Sequence, residues 1–425
     1  MKERVDVIVR AGQLVTCSPG GAPRKGAAMR DVAVLAPGAL AVRDGIIRAV
    51  GTPQQIESSF EVSSEGFIEG ALVIPGLVDA HTHPVFAGTR IDEYFLRAQG
   101  ATYLEIHRQG GGILSTVRAT RAASDEALLE LLLPRLDMML MHGTTTAEAK
   151  SGYGLSASEE LRELRILKEG ARRHPLELVS TFLGAHTVPS EFSEDRGGYL
   201  DEICSVMLPA VKQQELAAFV DVFCEEGAFS LEETEKIFCA ARDLGLGLKI
   251  HAEQFSSRGS ALMAARMGAV SCDHLLRLSS QDIEALRGLF TVLVFMPGTE
   301  LFLNIHEYGP AREAIDSGLA VALGTDFNAG SCLSESMPMA MALAVLQMRL
   351  APGEALIAST VNSAHSLGKG HLVGSLEPGK QADMVFIDCG DYREWLYHFG
   401  VTMVSHVMKK GSMVFTRGAV ARPGV

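Results

Sequence analysis

Eight short apolar, β-rich segments recur along the chain with helical stretches between them, and this alternation limits the fold more than any other feature. They lie around Leu72 to Asp79, Gly143 to Glu148, Leu178 to Leu183, Phe219 to Phe223, Leu246 to Ile250, Ala269 to Asp273, Phe290 to Met296 and Leu319 to Gly324. Strands alternating with helices predict parallel βαβ units. Eight such units predict a (β/α)8 barrel, whose chemistry gathers at the C-terminal ends of the strands. His81, His83, His186, His251, His274 and Asp326 all fall at those ends.

The first of these ends carries the sharpest signal, Asp79-Ala80-His81-Thr82-His83. Side chains alternate faces along a strand, so His81 and His83 point the same way. Two imidazoles side by side at a strand end make half of a metal site. The competing reading is a pair of surface or packing histidines.

Both chain ends read differently. Ala39 to Gly51 is two short strands around an Asp44-Gly45 turn, and Val404 to Phe415 is strand-like around a Lys410-Gly411 turn. Such turns are hairpin signals. Residues 1–69 and 369–425 therefore read as one composite β-sandwich flanking a catalytic barrel over 70–368. Gly20 to Arg30, rich in small and basic residues, reads as a mobile hairpin or loop.

The formal net charge of −13 argues against nucleic acid or an anionic membrane as partner. No segment approaches the ~20 uninterrupted apolar residues of a membrane span. The run from Leu128 to Met141 is broken by Glu130, Pro134, Arg135 and Asp137. Met1 to Asp6 carries charges where a signal peptide needs an apolar core. Seven cysteines without paired spacing suggest reduced thiols, and hence the cytoplasm.

The strand-end pattern His-x-His, then His, His and Asp, resembles the amidohydrolase superfamily, as does the closing segment Gly374 to Asp383. Within it the chain is similar to the imidazolonepropionase family. The likeness is carried by His81 to Arg90, Tyr103 to Ile106, Gln109 to Ile113, Ser115 to Arg121, Lys150 to Leu155, Leu183 to His186 and Gly324 to Asn328. The resemblance implies hydrolysis of the cyclic amide of 4-imidazolone-5-propanoate to N-formimidoyl-L-glutamate, a step of histidine degradation, and a homodimer.

Opening an amide-like ring at neutral pH needs a strong nucleophile, and a bound metal lowers the pKa of its water to about 7. Three neutral imidazoles and one carboxylate, His81, His83, His251 and Asp326, would hold one Zn²⁺ or Fe ion per subunit while leaving a position open. The resemblance implies the same four. Binuclear relatives add a carboxylated lysine at the fourth strand's end. Here that end reads Phe223-Cys224-Glu225-Glu226, which favours a single metal, and Lys150 reads as a structural or surface residue.

Asp326 is also the candidate to move a proton from water to the leaving nitrogen. His274 is the candidate to polarise the carbonyl as it becomes an oxyanion; its competing reading is a core histidine bonded to a backbone carbonyl. A substrate carboxylate calls for a bidentate arginine. By motif match that is Arg90, otherwise readable as a solvated loop residue. The match further implies substrate contact by Tyr153, His186, Asn328, Gly330 and Ser331, and Tyr103 is a further candidate readable equally as packing.

One position departs from the pattern. Some members place a glutamate three residues after the fifth strand's histidine; here Gln254 stands there and Glu253 precedes it. Glutamine hydrogen-bonds but cannot shuttle a proton. Gln254 is expected to touch substrate, and Glu253 to carry a proton only if its loop turns it inward. Two rival functions are another cyclic-amide hydrolase or aminoheterocycle deaminase on the same scaffold, and a catalytically dead scaffold. The intact metal pattern argues against the second.

Overall fold

The computed structural model describes residues 2–100 and 111–418. Tyr103 therefore lies outside the described residues. Eight parallel strands form the central sheet: β1 (Leu77–Asp79), β2 (Thr144–Lys150), β3 (Glu177–Ala185), β4 (Phe219–Phe223), β5 (Gly247–Ala252), β6 (Ser271–His274), β7 (Val292–Phe295) and β8 (Ala320–Leu323). Neighbours in this order pair in parallel throughout. The sheet closes just beyond the strand ends. Thr82 bridges Phe327, His83 N donates to Phe327 O at 2.8 Å, and Asp326 N donates to His81 O at 3.0 Å. Closure thus runs through the residues flanking the histidine motif, as a barrel's C-terminal rim requires.

The barrel strands are near-continuously buried. Every residue of β2, β6, β7 and β8 is buried, which suits strands covered on both faces. Their helices carry ordinary start signals. Ser124 caps Asp125–Met141, and Ser230 forms a capping box with Glu233 at Leu231–Asp243. The 17-residue helix Asp125–Met141 tolerates Pro134 inside it. Among the described residues, no helix is long and apolar enough to cross a membrane. All seven cysteines are free.

The chain ends share one mixed sheet. Val7–Val15 pairs antiparallel with Gly38–Arg43 and parallel with Phe67–Pro75; the latter pairs antiparallel with Met384–Ile387, followed by Val404–Lys409 and Ser412–Thr416. Both expected turns have positive φ at both central residues: Asp44 52° and Gly45 73°, Lys410 49° and Gly411 76°. That is the geometry a two-residue hairpin demands.

The run Leu72 to Asp79 proves to be two strands rather than one. Phe67–Pro75 belongs to the flanking sheet, and the expected division at 69/70 falls inside it. Gly76 hands the chain over: its N–H reaches Asp383 O at 2.9 Å, and a β-carbon there would meet Thr145 Oγ1 at 2.2 Å. A continuous apolar run carries no mark where it changes sheets. Gly20 to Arg30 is likewise pinned rather than free. Buried Arg24 donates to Pro19 O, Cys17 O and Asp31 O, and Asn362 Oδ1 accepts its backbone N–H.

Candidate metal centre

Four histidines and one aspartate converge at the barrel mouth. The ligand-type atoms of His81, His83 and His251 lie within 4.8 Å of one another, as do those of His81, His274 and Asp326. His81 Nε2 is 3.2 Å from His83 Nε2, and Asp326 Oδ1 lies 3.6 and 3.7 Å from the same two nitrogens. All five side chains are nearly inaccessible.

What lies beneath them was not read from the sequence. His81 Nδ1 meets Asp273 Oδ2 at 2.7 Å, and His251 Nδ1 meets Asp221 Oδ1 at 3.0 Å. Lys150 pairs with Asp221 at 2.6 Å and Glu148 at 2.8 Å; Lys249 pairs with Glu148 at 2.9 Å. Lys150 is therefore structural and fully buried, not a surface residue. Burial works against its charge, but Asp221 and Glu148 outweigh burial and hold the ammonium above its usual range. Burial likewise would raise Asp221; His251 and Lys150 instead hold it well below the usual carboxylate range. Burial pushes Asp273 up, and Lys249 and Lys150 pull it back. The sign was available in β4, Phe219-Val220-Asp221-Val222-Phe223, where an acid interrupts a buried strand. A buried carboxylate there must have a partner.

These contacts test the fit of a cation. A carboxylate on Nδ1 fixes the tautomer and leaves Nε2 as a lone pair. His81 and His251 thus aim bare nitrogens at one point. His83 Nδ1 is buried without a hydrogen-bond partner among the described residues. Burial, reinforced by neighbouring cationic groups, keeps His81, His83 and His274 neutral well below their ordinary range. Bare imidazole nitrogens around a carboxylate suit a divalent cation bound by nitrogen and oxygen.

Asp326 sits at positive φ (54°) just past β8. Thr299 Oγ1 donates to its Oδ2 at 2.7 Å, and Ser331 Oγ does so at 3.2 Å. Burial lifts its carboxyl to about 6. His274, also at positive φ (79°), turns its ring toward His251 and His81, with centroids 4.9 and 5.2 Å apart. Among the described residues its ring makes no hydrogen bond to a backbone carbonyl, which removes the reason for reading it as a core histidine.

A cavity of about 850 Å³ opens above the cluster, and Arg90, Tyr153, His186, Gln254, Asn328, Gly330 and Ser331 line it. His186 stacks on His83 at 5.4 Å, donates from Nδ1 to Gly152 O (3.0 Å), and is held near pKa 3, chiefly by burial. Tyr153 lies between Phe86 and the two imidazoles. Arg90 commits its Nε and Nη2 to Glu93 at 2.9 and 2.6 Å, leaving Nη1 beside Gly330. Asn328 spends its amide on its own loop: Nδ2 reaches Asp326 O and Ser331 Oγ, and Oδ1 accepts from Gly330 N and Ser331 N. It shapes the wall with no donor to spare. Phe223, Phe255 and Arg97 also line the cavity, and sequence reasoning singled out none of them.

Glu253 corrects an expectation. At φ 48° its carboxylate turns away and accepts from Ser260 N, Ser260 Oγ and Ala261 N at 2.7–2.9 Å, capping helix Ser260–Arg266. It does not line the cavity, so the inward turn needed for proton transfer is absent. Gln254 alone faces the mouth.

Residues 72–414 match the model of the amidohydrolase family. An imidazolonepropionase of Symbiobacterium thermophilum is 47% identical over 420 residues, covering 98% of either chain. One of Solibacter usitatus is 46% identical over 97% of this chain and 99% of its own. Among solved structures, a zinc-bound adenosine deaminase of Xanthomonas campestris superposes with TM-score 0.75 at 20% identity, covering 98% of this chain and 94% of that one. A guanine deaminase of Bradyrhizobium japonicum gives 0.71 at 17%, covering 97% and 100%; both likenesses speak to the fold alone. With identity this high over nearly its whole length, the chain belongs to the amidohydrolase family and, within it, groups with the imidazolonepropionases.

Proposed function

We propose that this enzyme hydrolyses the ring amide of 4-imidazolone-5-propanoate, giving N-formimidoyl-L-glutamate in histidine degradation. The observation that carries the reading is the meeting of His81, His83, His251 and Asp326 beneath a cavity whose rim holds Arg90. The first four would hold one divalent metal ion, Zn²⁺ or Fe. Bound there, such a cation would supply Lewis acidity that brings the pKa of a water down to about 7.

The chain's own groups do the rest. Arg90 takes the propionate through its free edge and sets the ring over the histidines. Tyr153, His186 and Gln254 wall the flat heterocycle. Asp326 accepts the water's proton and passes it to the ring nitrogen as the C–N bond breaks and the C–O bond forms. His274 donates toward the carbonyl oxygen as negative charge builds there. The balance is one water added, one C–N bond lost, and one new carboxylate.

The test is direct. Metal-loaded protein is mixed with enzymatically generated imidazolone propionate, and loss of its ultraviolet absorbance is followed beside ammonia release from guanine and cytosine. Turnover of the imidazolone alone is expected. Turnover of an aminoheterocycle instead would assign the site to a deaminase.

A further inference from the structure

Arg97 lines the cavity but has no role in the reading above. It lies on helix Ile91–Ala98, which opens immediately after Arg90. Its Nη2 donates to Gly330 O at 2.9 Å, its guanidinium stands 5.8 Å over the Phe302 ring, and its Nε is buried without a hydrogen-bond partner among the described residues. A buried donor left unpaired costs the full desolvation penalty unless something arrives to accept from it.

Gly330 seats both arginines. Its carbonyl receives Arg97, while a β-carbon on it would fall 1.8 Å from Arg90 Nη1. Two like charges therefore share one wall. Burial, with the neighbouring Arg90 charge, lowers the Arg97 guanidinium below its usual range. Glu93 compensates only one of them, because its Oε2 takes Arg90 and its Oε1 takes Gly112 N. Among the described residues around Gly330, Arg90, Arg97 and Glu93 together leave one positive charge uncompensated. That balance fits a substrate with a single remote carboxylate.

Resting on the proposed activity, we infer that Arg97 is a second carboxylate-reading residue, which clamps the substrate's propionate together with Arg90 and selects anionic over neutral imidazolones. Arg90 offers Nη1 and Arg97 its guanidinium from the same Gly330 wall, so one anion can meet both.

The experiment compares metal-loaded parent, Arg97→Gln and Arg97→Lys on imidazolone propionate and on its uncharged propionamide. Calorimetric binding of 3-(imidazol-4-yl)propionate, which cannot be hydrolysed, supplies a readout independent of turnover. Arg97→Gln is expected to raise KM for the acid roughly 10- to 100-fold, with kcat within about threefold. The amide should change by less than about twofold. Lysine should restore part of the loss, keeping the charge without the fork. If the glutamine variant does not fold, the lysine variant carries the same acid-against-amide comparison. A rise in KM equal for acid and amide, or no rise, overturns the assignment. A parent that binds imidazole propionate in an Arg97-dependent way yet turns over no imidazolone overturns the activity alone.

Discussion

Asp273 Oδ2 lies 2.7 Å from His81 Nδ1, both side chains fully buried, with Lys150 and Lys249 within 4 Å of the same oxygen. This one contact fixes which nitrogen His81 turns to the cavity. Asp221 does the same for His251, and Lys150 ties the two carboxylates together. Asp273→Asn keeps the shape but removes the charge that selects the tautomer. Metal affinity should fall about 10- to 100-fold, read by competition with a chromogenic chelator. Unchanged affinity would show that His81 needs no such partner.

His274→Ala should keep its metal and lose about 10²–10³ in kcat, the scale for removing one oxyanion donor. Metal analysis and steady-state kinetics on the same preparation check it. Loss of metal together with activity would move His274 into the ligand set, a place its proximity to His81 and Asp326 allows.

Glu253→Ala should be a stability variant. Its carboxylate holds three backbone and side-chain donors at the start of helix Ser260–Arg266. Removing such a cap costs about 1–2 kcal/mol, visible in chemical denaturation. Turnover of the folded fraction should stay within about threefold. A hundredfold drop in kcat at unchanged stability would restore Glu253 as a proton carrier.

Glu300 gives a pH signature. It is 4% exposed, its Oε2 has no partner among the described residues, and burial raises its carboxyl to about 8. The folded state therefore binds a proton that the unfolded state has released between roughly pH 4.5 and 8. Stability from this group is present at acid pH and is lost as pH rises through that window. Glu300→Gln keeps the neutral form at every pH. Its stability relative to the parent should rise between pH 5.5 and 8.5 by more than about 1.4 kcal/mol, the worth of one pKa unit. Parallel denaturation curves at both pH values would refute the assignment.

Much of the site was legible before any fold was known. His81, His83, His251, His274 and Asp326 announce themselves because barrel chemistry sits at strand C-terminal ends, and each follows an apolar run. Glu253 misled because adjacency in sequence does not say which way a loop at positive φ turns its side chain. Asn328 and Arg97 show the same limit from opposite sides. One has its amide consumed by its own loop, and the other, on a helix with no motif, reaches the cavity.

The order of apolar runs, the alternation of histidines and the turn dipeptides are local properties, so the eight strands, the hairpins and the metal-type residues follow from sequence alone. Where Leu72 to Asp79 changes sheets is not local, since Gly76 is forced by Thr145 and Asp383, residues far along the chain. The pairing of Lys150 with Asp221 and of Asp273 with His81 spans 71 and 192 positions. Such contacts cost the entropy of closing long loops and the desolvation of buried charge. Only the closed barrel, which brings all eight strand ends to one mouth, brings those groups together.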